Sequence, residues 1–312
     1  MNSCHSIISR FIGEIEASRP VALCVVVEKS GSTPQVPGAM MIVDHQSQII
    51  GTIGGGCVEA AIRREAFNLL QQKVSRLVEI DLDHETATDD GMICGGSMKI
   101  AIVTTLEHRL LKKYGEAVKK LEEGSQVEFP VFVRDGDSKV KYVLHLETDP
   151  ELIIAGAGHI SQEVARLAVN LGFKVTVIDN RGDFSNPVRF PPPVIPLVGE
   201  IDETLKKQEI SPSSYVVIVT RGHKHEQSAL EAVISSPAKY IGMIGSKRKV
   251  RMIFDAMKEG GIGASDISKV HAPIGVSIHA VTVEEIAISI MAELIRVRRE
   301  NWQSFVEGPI RT

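Results

Sequence analysis

Along the first half of the chain, short apolar stretches recur between glycine-rich turns: Val21–Val27, Ala39–Val43, Ile49–Ile53, Val74–Ile80, Met98–Thr104, Val127–Val133 and Lys139–Leu146. Stretches of this length bounded by turn residues predict strands, and longer segments with apolar positions three and four apart predict helices over Ser6–Ala17, Val58–Leu70 and His108–Glu122. From Glu151 the rhythm changes. Valine- and isoleucine-rich runs (Leu152–Ala155, Lys174–Ile178, Val216–Val219, Tyr240–Ile244) alternate with helical patterns (Ile160–Leu171, Gln227–Ile234, Val250–Lys258). Strands apolar on both faces, each followed by a helix, predict a parallel sheet covered on both sides.

The two rhythms meet at Glu147–Pro150, where polar residues and a proline interrupt any continuing pattern. The expected class is therefore α/β: an N-terminal α+β domain over residues 1–148, then a Rossmann-like doubly wound parallel sheet over 149–312. A last helix, Val283–Arg299, carries Ile286, Ile290 and Leu294 at fourfold spacing and ends in a basic turn, as a packed helix should. Pro187 and Pro191 to Pro193 predict a stiff, extended loop over Asn186–Pro196.

Composition narrows the function classes. Among 312 residues, 35 basic and 39 acidic side chains leave a net charge of −4, which gives no broad attraction to nucleic acid or an anionic membrane. Any anion site must be local. The longest apolar run, Val21–Val27, is far short of the roughly 20 residues that cross a bilayer, and the N-terminus lacks a signal-peptide pattern, so a cytoplasmic protein is expected. Four widely spaced cysteines, Cys4, Cys24, Cys57 and Cys94, form no CxxC pair, which speaks against a disulfide scaffold or a zinc knuckle.

Gly156, Ala157, Gly158 and His159 follow a predicted strand and open a predicted helix. The first glycine suits a tight turn, the second lets backbone approach a phosphate, and the helix start supplies free N–H donors. Ser161 stands where a third glycine is usual. Asp179 ends the next strand, 21 residues after Gly158, where a carboxylate would accept from ribose hydroxyls; Arg181 could instead meet a phosphate. Two more loops belong to the same carboxyl edge of the sheet. One carries His223 and His225, as ligand hydrogen-bonders or as metal ligands. The other carries Gly245, Ser246, Lys247 and Arg248, followed by Lys249 and Arg251. Cations at a helix start oppose the dipole unless an anion is bound, so phosphate is the natural candidate and a solvated basic turn the alternative. The alternative for the whole domain is a Rossmann scaffold that holds no nucleotide.

In the first domain, the segment with Gly31, Ser32, Pro34 and Gly38 is richer in hydroxyls and rigid turn residues than a connector requires. Gly54, Gly55 and Gly56 then lead through Cys57 into a helix bearing Glu59, and consecutive glycines let bare amides face a ligand. Cys57 falls in the first turn, where the dipole favours thiolate. Cys94, Gly95 and Gly96 repeat the pairing of cysteine with glycine. Either cysteine could equally be a small buried hydrophobe, as is expected of Cys4 and Cys24.

Taken together, GSTPQVPGAMM (Gly31–Met41), GTIGGGCVEAA (Gly51–Ala61), the Cys94 glycine pair, GAGH (Gly156–His159), TRGHKH (Thr220–His225), YIGMIGSKRK (Tyr240–Lys249) and HAPIGVSIHAVTVEEIAISIMAEL (His271–Leu294) resemble the XdhC/CoxI family over nearly the whole chain. The resemblance implies a maturation factor of xanthine dehydrogenase and related molybdenum hydroxylases, more a cofactor chaperone than an enzyme. It implies binding of molybdenum cofactor, in its molybdopterin or dinucleotide form, and a role for a partner desulfurase that adds the terminal sulfur. Carried over residue by residue, it points to the glycine, cysteine and loop residues named above, to Pro273, Ile274 and Gly275, and to Glu284, Glu285 and Ile286. Glu226 and Val283 depart from the family's usual aspartate and proline. Cys57 or Cys94 would ligate molybdenum or receive sulfur, and the sequence does not choose. A homodimer is a further expectation. An NAD(P)-dependent oxidoreductase is the alternative function, and a histidine-based metal hydrolase a third.

Overall fold

The structure is a computed structural model and describes residues 4–82, 95–104, 108–123, 125–300 and 306–311. The chain separates into two compact units that divide at Asp149.

The first unit runs α1 (Cys4–Glu16), β1 (Val21–Gly31), β2 (Met40–Asp44), β3 (Ile49–Gly51), α2 (Gly56–Gln72), β4 (Arg76–Asp81), β5 (Gly96–Val103), α3 (His108–Glu122), β6 (Val127–Asp135) and β7 (Ser138–Leu146). The strands lie in the order β7-β6-β4-β5-β1-β2-β3, antiparallel except for a short parallel contact of β4 with β6. The seven-residue apolar run explains why β1 is central. Its alternate side chains Val21, Leu23, Val25 and Val27 pack with Ile8 and Phe11 of α1 and Tyr114 of α3, while Ala22, Cys24 and Val26 pack with Val58, Ile62 and Leu69 of α2. Burying a large apolar side chain contributes roughly 1.5–3 kcal/mol, so a strand buried on both faces anchors both layers.

The second unit runs β8 (Glu151–Ala155), α4 (His159–Asn170), β9 (Lys174–Asp179), β10 (Ile195–Val198), α5 (Ile201–Lys206), β11 (Ser214–Ile218), α6 (His223–Val233), β12 (Tyr240–Met243), α7 (Lys247–Glu259), α8 (Ala264–Ile267), β13 (Val270–His271) and α9 (Val283–Arg299). All strand pairs are parallel, in the order β10-β9-β8-β11-β12-β13. The order reverses between β8 and β11, which is the place where an open parallel sheet leaves a crevice at its carboxyl edge. Val164 and Ala168 of α4 and Ile290 and Leu294 of α9 cover one face. Leu205, Leu230, Val233 and Ile253, from α5, α6 and α7, cover the other. The start of α9 is closed by a capping box in which the Thr282 hydroxyl accepts from the Glu285 amide and the Glu285 carboxylate accepts from the Thr282 amide.

Three segments differ from expectation. The proline-rich stretch ends in an outermost strand, β10, because an edge position tolerates Pro196, which has no N–H to donate. The segment bearing His223 and His225 is the first turn of α6, with Gly222 at its N-cap in a positive-φ conformation, rather than a loop. Finally, β14 (Val306–Arg311) pairs antiparallel with β7, so this strand completes the first unit's sheet instead of belonging with residues 149–300. An unpaired strand edge is a ready template for a further strand, and β7 presents one.

One buried carboxylate ties α9 to the sheet. Glu293, 5% exposed, accepts from the Tyr240 hydroxyl at 2.7 Å, the Gly275 amide at 2.7 Å and Arg296 at 3.1 Å, with His271 Nδ1 at 3.5 Å. Burial alone would raise its carboxyl, but the bonds from His271, Tyr240 and Gly275 outweigh that and hold it down to about 2, against an ordinary 4.5. A depressed carboxyl stabilises the fold fully above its unfolded value and loses that contribution as pH falls toward the folded one. Glu293→Gln is therefore expected to cost about 2 kcal/mol at pH 7. Urea titrations at pH 7 and pH 3 should show the gap to wild type shrinking at the lower pH.

Candidate functional site

The crevice begins with the turn from β8 into α4. Gly156 has φ 104°, and a Cβ there would stand 2.7 Å from the carbonyl oxygen of Val219. The turn is thus pressed backbone to backbone on the chain leaving β11, and its amide donates to Ile178 at 2.7 Å. Gly158 is the N-cap of α4 and offers no side-chain cap, leaving the first amides of the helix to other acceptors. Ser161 is fully buried, the small side chain that close packing of helix on sheet requires.

A cavity of about 320 Å3 opens here, lined among others by Gly156, Gly158, Asp179, Arg181, Thr220 and His225. Asp179 is 2% exposed and its carboxylate is surrounded by the protein's own donors. Oδ2 accepts from the Ala157 amide at 2.8 Å and from Arg181 Nη2 at 2.7 Å, and Oδ1 accepts from Arg181 Nε at 2.7 Å and from the Arg181 amide at 3.1 Å. Burial alone would raise the Asp179 carboxyl; the Arg181 guanidinium and the Ala157 amide outweigh it and hold the group below the usual carboxylate range. The arrangement pins the glycine turn to the end of β9.

The residues expected around this crevice are only partly gathered. Gly156, Gly158, Asp179, Arg181 and His225 line the cavity. His159 is exposed at the start of α4 and is not among the lining residues, while His223 opens α6. Gly245, Ser246, Lys247 and Arg248 lead into α7 outside the lining, where the Ser246 hydroxyl caps the helix by accepting from the Lys249 amide at 3.3 Å. Lys249 is committed to an ion pair with the buried carboxylate of Glu226 on α6, so the basic turn carries less free charge than its composition suggests. Sequence reasoning missed Phe184, Arg189 and Arg221. Their guanidinium and ring groups meet only in the folded chain: Arg181, Arg189 and Arg221 lie 3.8, 4.9 and 5.2 Å from the Phe184 ring centroid.

In the first unit, the glycines serve close backbone approach. Gly31 pairs with Gly96, and a Cβ on either would fall within about 2.5 Å of the neighbouring strand's carbonyl oxygens. Gly54 has φ 131°, and a Cβ there would meet the Pro34 ring at 2.8 Å, so the segments bearing Gly31–Gly38 and Gly54–Gly56 are in contact. Gly38 donates its amide to Val26 at 2.8 Å. Glu59 folds back onto the loop, accepting from Thr52 Oγ1 at 2.8 Å and from the Gly55 amide at 3.3 Å. Ser32 is exposed, and Cys57 is an exposed free thiol in the first turn of α2. Cys24 is wholly buried, which pushes its thiol up, and Cys4 packs against the core. Cys94 lies outside the described residues. Among the described residues, no group of three or more His, Cys, Asp or Glu side chains could hold a metal ion, and no helix is long and apolar enough to cross a membrane.

A six-stranded parallel sheet with the β8–α4 glycine turn at its switch point defines a Rossmann domain. A family model described as the XdhC Rossmann domain matches residues 152–294, and one described as the XdhC and CoxI family matches residues 14–81. The chain belongs to the XdhC and CoxI family. It is 30% identical to the uncharacterized protein YqeB of Escherichia coli over 284 residues, which covers 91% of this chain but only 44% of that relative. It is 26% identical to a probable xanthine dehydrogenase subunit of Bacillus subtilis, covering 91% of this chain and 95% of the relative. It is 24% identical to the molybdenum cofactor insertion chaperone PaoD of Escherichia coli, covering 94% of this chain and 89% of the relative. A Bacillus halodurans crystal structure described as a xanthine dehydrogenase shares the fold, with a TM-score of 0.81 at 23% identity over 96% of this chain and 97% of that one.

The turn geometry has a direct consequence for stability. Gly156→Ala is expected to cost about 2 kcal/mol or more, from positive φ and the collision with Val219. Gly245→Ala, whose Cβ would have no neighbour nearer than 3.4 Å, should change the thermal midpoint little. Comparing the two melting curves checks this.

Proposed function

We propose that this chain is a maturation factor that binds molybdenum cofactor and delivers it to a molybdenum hydroxylase such as xanthine dehydrogenase. The observation that carries the reading is a crevice framed by Gly156, Gly158 and Arg181, in a chain that aligns over 94% of its length with a molybdenum cofactor insertion chaperone. Molybdenum cofactor is here the cargo. It presents a phosphate at one end and a dithiolene-bound metal at the other, and this chain holds groups suited to each. The bare amides at the start of α4 and the guanidinium of Arg181 suit the phosphate. The thiol of Cys57, exposed beside three glycines, and that of Cys94 are the proposed sulfur groups for the metal end. His225 stands against the cargo in the crevice, and a cysteine desulfurase supplies the terminal sulfur.

An NAD(P)-dependent oxidoreductase is the weaker reading. A ribose hydroxyl needs an accepting carboxylate at the end of β9, and Asp179 is already filled by Arg181 and Ala157.

Full-length chain mixed with cofactor freshly released from a molybdoenzyme, then gel filtered, should retain close to one molybdenum and one pterin per chain, read by elemental analysis and pterin fluorescence. Cys57→Ser should lower retention about tenfold or more if its sulfur touches the cargo. Protein emerging free of both molybdenum and pterin, and unable to activate an apo-hydroxylase, would overturn the reading.

A further inference from the structure

Three guanidinium groups crowd one phenyl ring beside the cavity. With Arg181, Arg189 and Arg221 at 3.8, 4.9 and 5.2 Å from the Phe184 centroid, no two of these cations are more than about 10 Å apart, which is comparable with the screening length of physiological salt. A single carboxylate, Asp179, answers Arg181. Neither Arg189 nor Arg221 has an ion-pair partner among the described residues; Arg189 donates only to the neutral acceptors Gln162 Oε1 at 2.7 Å and the Ala157 carbonyl at 3.4 Å. Two positive charges therefore remain at the glycine turn, next to the positive end of α4.

Unused donors point the same way. Thr220 lines the cavity and is 8% exposed, yet its buried hydroxyl has no hydrogen-bond partner among the described residues, a donor left over. Arg181 Nη1 and Arg189 Nε are also buried without partners. Buried donors normally find acceptors, and a cluster of unused donors amid uncompensated cations is suited to an anion.

We infer that this corner of the cavity is a receptor for a doubly charged phosphate group, as a diphosphate or a phosphate monoester. Arg221 clamps it, the Thr220 hydroxyl donates to it, and Arg189 adds its charge from beside the cavity. Asp179 is the internal counter-ion that holds Arg181 and the glycine turn in place; it does not read ribose hydroxyls. Arg221 is the specificity-determining residue of the three, since it is exposed, lines the cavity and has no acceptor among the described residues. This deepens the reading above and rests on it only for the identity of the molecule that carries the phosphate.

The test is calorimetric titration of the full chain at low ionic strength with inorganic pyrophosphate, inorganic phosphate and adenosine. Pyrophosphate should bind with one site per chain, weaken as salt is raised, and lose about tenfold or more in affinity in Arg221→Ala. Phosphate binding as tightly as pyrophosphate would assign a monoester, and weaker phosphate binding a diphosphate. Thr220→Val should weaken binding while leaving the thermal midpoint unchanged or raised, because it removes an unsatisfied buried hydroxyl; a merely structural threonine would lower the midpoint and leave binding alone. Absence of pyrophosphate binding, pyrophosphate binding untouched by both variants, or displacement of pyrophosphate by adenosine would overturn the inference. Cofactor retained by a chain that ignores pyrophosphate defeats this inference alone, whereas pyrophosphate bound by a chain that never retains cofactor defeats the maturation reading alone.

Discussion

The Asp179 carboxylate is the contact on which the second unit's site depends. It reaches from the end of β9 to the Ala157 amide in the turn after β8, and it neutralises the Arg181 side chain two residues further along. One buried group thereby fixes the positions of two strand ends, the glycine turn and a guanidinium. The cost of removing a carboxylate from water is offset only because every lone-pair direction it uses is met by a donor. Gly156 and Gly158 then sit where the sheet reverses its order, and Phe184 and the remaining arginines close in around a framework that is already set.

The same logic governs the first unit with different means. Its loops are held by close backbone contact instead of by charge. Gly31 against Gly96 and Gly54 against Pro34 bring strand ends and turns nearer than any side chain would permit. Glu59, expected to meet a cofactor, spends its carboxylate on Thr52 and Gly55 and so keeps its own glycine loop in register with α2. Order in that loop leaves Cys57 at a defined, exposed place, which is the condition under which a thiol can meet a cargo selectively.

Most of the architecture could be read from periodicity. The apolar run of β1 signals burial on both faces, and α9 occupies Val283–Arg299 as its fourfold pattern and basic last turn require. What escaped was decided by tertiary partners. Strand β10 contains a proline and is admitted only because it lies at an edge, and β14 takes its identity from β7, far earlier in the chain. The site divides in the same way. Motif residues Gly156, Gly158 and Asp179 are marked by their spacing after a strand, whereas Arg189 and Phe184 belong to no motif, and Arg221, inside the TRGHKH segment, joins them through folding alone. The charge of the basic turn after Gly245 was likewise only partly legible, since the buried Glu226 that claims Lys249 sits on another helix.

The return of β14 to the first sheet also sets an order of events during synthesis. A ribosome emits the chain from its N-terminus, so β7 is made long before the strand that covers its free edge. Residues 149–300 must emerge first, and their sheet takes every strand from within that stretch, whereas the first sheet waits with an open row of amides and carbonyls. Nascent chains of this protein therefore pass through an interval in which the N-terminal sheet is exposed to pairing with other chains. Its final assembly is a late step, taken only when Val306–Arg311 has left the exit tunnel.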